Sequence, residues 1–298
     1  MLMLLLSTGS SARAPRASGF LFVEEPVNPR LIAMGSAGTA LGGTGFSYYN
    51  PAQPFFTERP YVFAEFGRIS GDVNRGSVET AVVHPGWFGG ISFITQSVDF
   101  TVATEQGTGP SAANQGTVAS LTAGLVRDEF AAAVTLNGLQ DRFGYSTTYY
   151  GLSVSGGMGY RLIPGRLNVG VAAFNLGRSK GFLDDPEWRK HGIPRTLRLG
   201  ASYNDTLNEM CYAAAIDLVY RDETGEVLVP FGVEVYPLSM LALRLGKRFG
   251  HETEVFSIGM GVNLDNLSVD VSFVPVKMVK DYSIKWSAGL SYFLGARH

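Results

Sequence analysis

The residue types that carry most enzyme chemistry occur in this sequence without the spacing that such chemistry needs. The four histidines, His84, His191, His251 and His298, show no metal-ligand spacing and fall in predicted turns, loops or the C-terminal tail. No G-x-S-x-G motif is present to supply a nucleophile elbow. The lone cysteine, Cys211, excludes an internal disulfide and a cysteine-based zinc site. We therefore expect no enzyme activity, no metal site and no cofactor.

The charged residues that stand out instead occupy alternate positions in segments of alternating polarity. Residues 282–292 show the pattern, with Ile284 and Trp286 on one parity and Ser283 and Lys285 on the other. Side chains of a β-strand point alternately to its two faces, so such a segment has one apolar and one polar face. The charges on polar faces are Arg161, Arg198, Asp217, Glu234, Arg244, Arg248, Asp270 and Lys285. We expect them to stabilise the structure by pairing.

The segments that carry these charges belong to a series of about fourteen predicted strands, most of them about ten residues long. They are 61–69, 77–84, 86–95, 117–126, 129–139, 147–162, 165–177, 194–204, 210–220, 227–236, 239–249, 254–264, 266–275 and 282–293. Chained ten-residue dyads of this kind are typical of a transmembrane β-barrel. The sequence predicts an all-β fold, a single antiparallel transmembrane barrel of about 14 strands with an N-terminal plug segment.

Connection lengths support the barrel over a soluble β-sandwich. The connections after most odd-numbered strands are long, with 96–116 and 178–193 the longest, whereas those after most even-numbered strands have one or two residues. Outer-membrane barrels have long external loops and short periplasmic turns, which predicts an outer-membrane location in a diderm bacterium with both termini in the periplasm. The polar faces then line the lumen, and we expect Asp270 and Lys285, on neighbouring strands, to lie close together.

Composition agrees with a barrel and excludes a general nucleic-acid surface. Charged residues make up 17% of the chain, glycines number 37, and the net charge is −2. No run of apolar residues is long enough for a helix to span a bilayer. The start of the chain has a short apolar stretch followed by Ala12-Arg13-Ala14, which resembles the tail of a secretory signal peptide, so we assign residues 1–17 to it.

A segment rich in small residues separates this leader from the first strand. Its glycines and alanines between Gly35 and Gly45 allow close packing against other backbone, and Asn50-Pro51 indicates a turn. We expect residues 18–56 to form a plug inside a barrel of residues 57–298. The alternative is a plain periplasmic leader.

The stretch RLIAMGSAGTALGGTGFSYYNPA (30–52), with its terminal motif Asn50, Pro51 and Ala52, resembles the N-terminal signature of the PorV/PorQ family of outer-membrane proteins. Further similar motifs are FNLG (174–177), IPRTLRLGASY (193–203), LALRLGKRF (241–249) and LSVDVSFVP (267–275). The resemblance implies a fourteen-stranded barrel with an N-terminal plug, related to the FadL channels. Some members of the family act with partner proteins in type IX secretion and surface attachment.

Two functions follow from these observations. The first is a non-enzymatic barrel that binds secretion-system or surface-attachment proteins, with 96–116 and 178–193 as contact loops and Asp184, Asp185 and Trp188 as candidate contacts. The alternative is a FadL-like channel for hydrophobic small molecules, with a lipid-like ligand. A third possibility, a soluble periplasmic β protein, conflicts with the loop lengths. The expected surroundings are outer-membrane lipid, and no nucleic acid partner is expected.

Overall fold

The strands of the chain form a closed antiparallel β-barrel. The computed structural model describes residues 20–70, 73–104, 107–143, 147–181, 192–207, 210–277 and 282–295. Each strand pairs with its neighbours in sequence, and the first strand closes the barrel by pairing with the fourteenth, Tyr61 lying opposite Phe293. The predicted fold class, an antiparallel barrel of 14 strands, is confirmed.

The strand positions agree with the alternating segments of the sequence. The strands are β1 Tyr61–Ser70, β2 Val73–His84, β3 Trp87–Thr104, β4 Gly107–Arg127, β5 Phe130–Phe143, β6 Thr147–Ile163, β7 Leu167–Gly181, β8 Thr196–Leu207, β9 Met210–Arg221, β10 Val227–Leu238, β11 Leu241–Phe249, β12 Ser257–Leu264, β13 Leu267–Lys277 and β14 Tyr282–Phe293. Before them come a 3-10 helix, Leu21–Glu24, and two short helices, α1 Pro29–Ala33 and α2 Gln53–Thr57. Within the described residues, no helix is long and apolar enough to cross a bilayer.

The barrel wall is apolar on its outside and mostly polar or small on its inside. On β6, Leu152 and Met158 are 75% and 51% exposed, whereas Ser153 and Ser155 between them are buried. Tyr150 and Tyr160 mark the two ends of the apolar stretch of this strand. Their separation corresponds to about 25 Å across a tilted strand, the height of the apolar band of an outer-membrane barrel. An exterior of this kind is suited to hydrocarbon rather than to water.

The prediction that residues 96–116 and 140–146 form loops between strands is wrong, because strands extend into both ranges. β3 and β4 continue past the apolar band and pair as far as Thr104 and Gly107, and β5 reaches Phe143 before β6 begins at Thr147. The sequence of these extensions lacks the strict alternation of polar and apolar residues. The backbone hydrogen bonds between paired strands do not depend on that pattern, so the ladder continues.

The connections at the other end of the barrel are short, as expected. Residues 85–86, 128–129 and 265–266 link consecutive strands. Asp128 and Asp265 adopt positive φ angles of 52° and 48°. Aspartate tolerates this left-handed conformation, which two-residue hairpins require. The first strand also begins at this end, so the segment before Tyr61 enters the barrel from the side of the short turns.

We expect a charge in the middle of the apolar band to destabilise the barrel more than the same charge at its edge. Leu136 lies directly opposite Leu121 and Val154, whereas Gln140 lies on the same strand beside Tyr150. Leu136→Arg should cost about 2–4 kcal/mol of folding free energy in lipid vesicles, and Gln140→Arg about 0–1 kcal/mol. Urea titrations followed by gel mobility would measure both. Equal losses would contradict this placement of the band.

Candidate functional site inside the barrel

Residues 20–58, which we call the N-terminal segment, contact the inward-facing side chains of strands around much of the barrel. Most of the segment is buried, and Leu31, Met34, Phe46 and Tyr49 are completely so. α1 begins after Asn28, whose side-chain Oδ1 accepts a hydrogen bond from the Leu31 N–H at 3.2 Å. The segment therefore has a defined conformation that rests on contacts with the wall.

Carboxylates on the inner wall accept hydrogen bonds from the backbone of the segment. Glu65 accepts from the Asn28 N–H at 2.6 Å, and Asp141 accepts from the Phe20 N–H at 2.9 Å. Short loops contain backbone N–H groups that no helix or sheet satisfies. A buried N–H without a partner is costly, so ionised acceptors on the wall stabilise the looped conformation.

Glu79 on β2 serves a turn of the segment in the same way. Its carboxylate accepts hydrogen bonds from the Gly45 N–H at 2.5 Å, the Ser47 hydroxyl at 3.1 Å and the Tyr61 hydroxyl at 2.7 Å. The chain around Gly45 has a φ of 114°, which glycine adopts without strain. The glycine-rich stretch thus bends around a fixed carboxylate.

Asp217 and Arg198 form a buried ion pair that also binds the segment. Their Oδ2 and Nη2 atoms lie 2.9 Å apart. Asp217 accepts hydrogen bonds from the Gly38 N–H at 3.0 Å and the Thr39 hydroxyl at 2.7 Å, and Arg198 donates to the Ser36 carbonyl at 2.8 Å. A buried pair needs such additional hydrogen bonds to offset the loss of water.

Glu234 binds one arginine from the segment and one from the wall. Arg30 of α1 donates to Glu234 through Nε at 2.9 Å and Nη2 at 2.7 Å, which is a bidentate arrangement. Arg244 donates to the same carboxylate at 2.5 Å and contacts Asp270 at 2.7 Å. The result is a row of alternating charges from α1 across β10, β11 and β13.

Backbone contacts as close as these require glycine in the wall. A Cβ on Gly232 would meet Met34, and one on Gly246 would meet the backbone nitrogen of Gly35. Both glycines lie opposite each other on β10 and β11. The wall is therefore shaped to accept the turn that follows α1.

Asn50, Pro51 and Ala52 are buried against β6 and β7. The Asn50 amide donates to the Thr39 carbonyl at 2.8 Å and to the Met158 carbonyl at 3.1 Å, and its Oδ1 accepts from the Ala52 N–H at 2.9 Å. A Cβ on Gly157 would meet Asn50 and Pro51. The motif thus connects two parts of the segment to one part of the wall.

The predicted lumen charges all lie on the inward-facing parity of their strands, but they form several separate groups. Arg161 contacts none of the other predicted lumen charges among the described residues. It lies near the short turns, 2.5 Å from Glu58 and 4.0 Å above the ring of Phe55. Its guanidinium also donates to the Phe55 carbonyl, so it binds the end of the segment rather than the middle.

The predicted proximity of Asp270 and Lys285 is wrong. The register places Lys285 opposite Val274, four residues from Asp270, because β13 and β14 pair antiparallel. Lys285 instead lies 3.0 Å from Glu254 and 3.4 Å from Glu25. Asp270 contacts Arg244. Asp270 lies seven residues before the last pair of these strands, Lys277 with Tyr282, whereas Lys285 lies only three residues after it, so the two residues do not face each other.

Arg248, Glu254 and Lys285 form a cluster at the barrel end opposite the short turns. Glu254 lies in the connection between β11 and β12 and pairs with both Arg248 and Lys285. Burial would raise the pKa of Glu254, but the Arg248 and Lys285 cations lower it to about 2. The carboxylate therefore contributes stability above its unfolded pKa, and this contribution is lost only as the pH falls towards about 2.

Several wall residues of this site were missed at the level of sequence, namely Glu65, Arg75, Glu79 and Asp141. On β1, Glu65 shares its parity with Tyr61 and Phe63, so its face is not visibly polar. The signal that could have found Glu65 is its pairing with Arg75 on β2, which lies 2.6 Å away. Arg30 was visible in the family signature, but its partner Glu234 could not be read from it.

The remaining candidates do not form a site in the described part of the chain. Asp184, Asp185, Trp188, His191 and His298 lie outside the described residues. Cys211 is exposed. Among the described residues, no group of histidine, cysteine, aspartate and glutamate side chains could hold a metal ion.

Apolar contacts with the segment are concentrated on the side of the lumen formed by β3 to β6, where Asp141 and Arg161 supply the charged ones. Near α2, Phe55 and Ala52 pack with Phe88 of β3 and Ala133 of β5. Towards the other end, Phe20 and Phe22 pack with Val118, Leu139 and Tyr149. The segment is thus held by the ion pairs of β8 to β11 on one side of the lumen. On the other side it is held by apolar packing together with the contacts of Asp141 and Arg161.

The same sector of the wall has an apolar groove of about 990 Å3 on its lipid-facing side. Ala123, Val134, Gly156 and Ala173 form one outward-facing row from β4 to β7, in which all but Val134 are small, and Leu197 of β8 follows them. The adjacent inward-facing residues, Gly124, Gly157 and Ala172, are also small. Between groove and lumen the wall therefore consists of little more than backbone.

Solved structures of channels share this fold. The toluene transporter TbuX of Ralstonia pickettii has a TM-score of 0.66 and 12% identity, over 93% of this chain and 100% of that one. The CymD monoaromatic hydrocarbon channel has a TM-score of 0.64 and 13% identity, over 92% and 99%. A FadL homologue of Pseudomonas aeruginosa has a TM-score of 0.54 and 10% identity, over 91% and 99%.

The fold is similar to that of FadL-type barrels. No protein-family model matches the sequence, and no curated protein resembles it closely enough to count as a relative. The identities to the solved channels are low, so the likeness is one of architecture. The resemblance to PorV/PorQ proteins is not supported by a family match.

We expect removal of the Glu234 charge to loosen the N-terminal segment. Glu234→Gln leaves Arg30 and Arg244 with a weaker, neutral acceptor in a buried site, which should cost about 3 kcal/mol of unfolding free energy. Urea titration would measure the stability, and limited proteolysis would measure exposure of the segment. Asp205→Asn is the control, because its pair with Arg166 is partly exposed and 3.6 Å long. Equal effects of the two variants would contradict the assigned role of Glu234.

Proposed function

We propose that this protein is an outer-membrane barrel through which small hydrophobic molecules pass. The observation that carries the proposal is the thin wall between the lipid-facing groove and the apolar side of the lumen. Hydrophobic solutes concentrate in hydrocarbon rather than in water. A groove on the membrane side and apolar clusters on the lumen side offer them binding surfaces separated by backbone and small side chains.

The likeness to solved channels supports this proposal. Two of the similar structures are those of a monoaromatic hydrocarbon channel and a toluene transporter. We therefore propose small aromatic hydrocarbons as the first class of molecules to test. The apolar outer band supports a membrane location, and we place both termini in the periplasm because the first strand starts at the end with short turns.

The N-terminal segment would act as a plug in this function. The Arg30–Glu234 pair and the Arg198–Asp217 pair lie on the side of β8 to β11. On the side of β3 to β6, apolar clusters accompany the polar contacts of Asp141 and Arg161 with the segment. A hydrophobic molecule competes with apolar packing more easily than with buried ion pairs. We propose that passage occurs along the apolar side while the ionic side keeps the segment in place.

Binding of secretion-system or surface-attachment proteins, which the PorV/PorQ resemblance implied, stays a prediction. The comparisons support the channel fold rather than a secretion role. Co-purification after mild detergent extraction tests it, and stoichiometric recovery of a surface or secretion protein would favour it over the channel.

We expect a larger side chain in the lipid-facing groove to slow uptake. A Cβ on Gly156 has no heavy atom closer than the Ala133 carbonyl oxygen at 4.0 Å, so Gly156→Leu should fold and fill the groove. Expression of the protein in a diderm host should raise the initial rate of labelled toluene uptake several-fold over the empty vector. Gly156→Leu should return the rate towards that of the vector.

Gly138→Leu is the matched control for this uptake measurement. Gly138 is also a lipid-facing strand glycine with open space above it, and its nearest neighbour is the Ala119 carbonyl oxygen at 4.0 Å. It lies outside the 990 Å3 groove. If expression of the wild type does not raise toluene uptake, the proposed channel function is wrong. If Gly156→Leu and Gly138→Leu slow uptake equally, the proposed route through the 990 Å3 groove is wrong.

A further inference from the structure

A lipid-facing arginine interrupts the apolar exterior of the barrel. The register of β4 to β7 places Ala119, Gly138, Leu152 and Arg178 in one outward-facing row. The next row towards the middle of the band consists of Leu121, Leu136, Val154 and Leu176. Arg178 therefore lies on the outer surface of the barrel, one row farther from the middle of the apolar band than these four apolar residues.

The position of Arg178 corresponds to the boundary between hydrocarbon and headgroups. Its neighbour Leu152 lies two residues along β6 from Tyr150, on the same face, and Tyr150 marks the end of the apolar stretch. Tyrosine is enriched at this interface. A charged side chain at this boundary costs little, because its head reaches the headgroups, where an anionic group can pair with it. Arg178 is exposed and forms no hydrogen bond or ion pair with the described residues.

A groove of about 720 Å3 adjoins Arg178 on the lipid-facing surface. Its floor includes Ala119 and Gly138, and its polar end is formed by Gln140, Tyr150 and Arg178. The open space above Gly138 shows that no side chain of the described residues fills the middle of this groove. The groove is thus apolar over its length and cationic at one end.

We propose that this groove binds one membrane lipid with an anionic phosphate headgroup. The phosphate pairs with the Arg178 guanidinium, whose fork of N–H donors suits a phosphate, and one acyl chain lies over Gly138 and Ala119. The acyl chain gains no hydrophobic free energy when it moves from the surrounding lipid into the groove, because both surroundings are apolar. Specificity therefore comes from the charge pair and from the shape of the groove.

Charge favours a lipid over a second copy of this chain as the occupant. In a two-fold dimer formed through this surface the same patch meets itself, so the Arg178 side chains of both copies would approach each other. Two unpaired cations in an apolar interface repel. A lipid phosphate supplies the missing negative charge instead.

The inference rests on the proposed membrane location but not on what passes through the barrel. The full-length protein would be inserted into nanodiscs of equal parts dioleoyl-phosphatidylglycerol and dioleoyl-phosphatidylcholine and released for native mass spectrometry. The wild type should retain one phosphatidylglycerol in preference to phosphatidylcholine. Arg178→Gln should weaken this retention roughly tenfold, as expected for the loss of one charge-assisted hydrogen bond.

Gly138→Leu should remove the bound lipid by occupying the place of its chain. The two controls are Lys247→Gln, which removes a lipid-facing cation of β11, and Gly156→Leu, which fills the other groove. Both should retain the lipid like the wild type. Unchanged retention in Arg178→Gln and Gly138→Leu would overturn the proposal, as would equal loss in Lys247→Gln. A dimer that Gly138→Leu dissociates would assign the groove to a second copy.

Failure of this proposal and failure of the proposed function give different results. Toluene uptake depends on Gly156 and not on Gly138, whereas lipid retention depends on Gly138 and not on Gly156. A protein that does not insert into nanodiscs at all would overturn the membrane location and both proposals with it.

Discussion

Closure of the barrel is the constraint on which the rest of this structure depends. A strand inside a bilayer has no water to satisfy its backbone, so every edge must pair with another strand. β1 meets this requirement by pairing with β14 over eight positions from Tyr61 to Arg68. A closed ring of this many strands encloses more space than the mostly small inward-facing side chains fill. The N-terminal segment occupies that space, and its position follows from closure.

A looped segment inside a barrel has many backbone groups that need partners, which explains the inner-wall carboxylates. Glu65, Glu79 and Asp217 are costly to bury, but each accepts several hydrogen bonds from the segment or its neighbours. Arg75 pairs with Glu65, and Arg198 pairs with Asp217. Without the segment these carboxylates would keep their partners on the wall but lose the hydrogen bonds from its backbone, so barrel and segment stabilise each other.

The charges and the apolar surfaces divide the lumen between two sides, and this division links the structure to the proposed function. The buried Arg198–Asp217 pair and the partly buried Arg30–Glu234 pair fix the segment on one side. On the other side, β4 to β7 have small residues on both faces, apolar clusters inside and two grooves outside. Both proposed sites lie on these strands, the route for small hydrophobic molecules and the groove for one anionic lipid.

Alternating polarity was sufficient to predict the fourteen strands, their inward and outward faces and the antiparallel barrel, because a two-residue period records which side chains meet hydrocarbon. It failed at 96–116, where the strands leave the hydrocarbon and the backbone ladder continues without the pattern. Only the tertiary structure decided the partners of the inward charges, such as Lys285 with Glu254 and Arg30 with Glu234. The reason is that pairing across a barrel depends on register and on the path of the N-terminal segment, and neither is encoded in local periodicity.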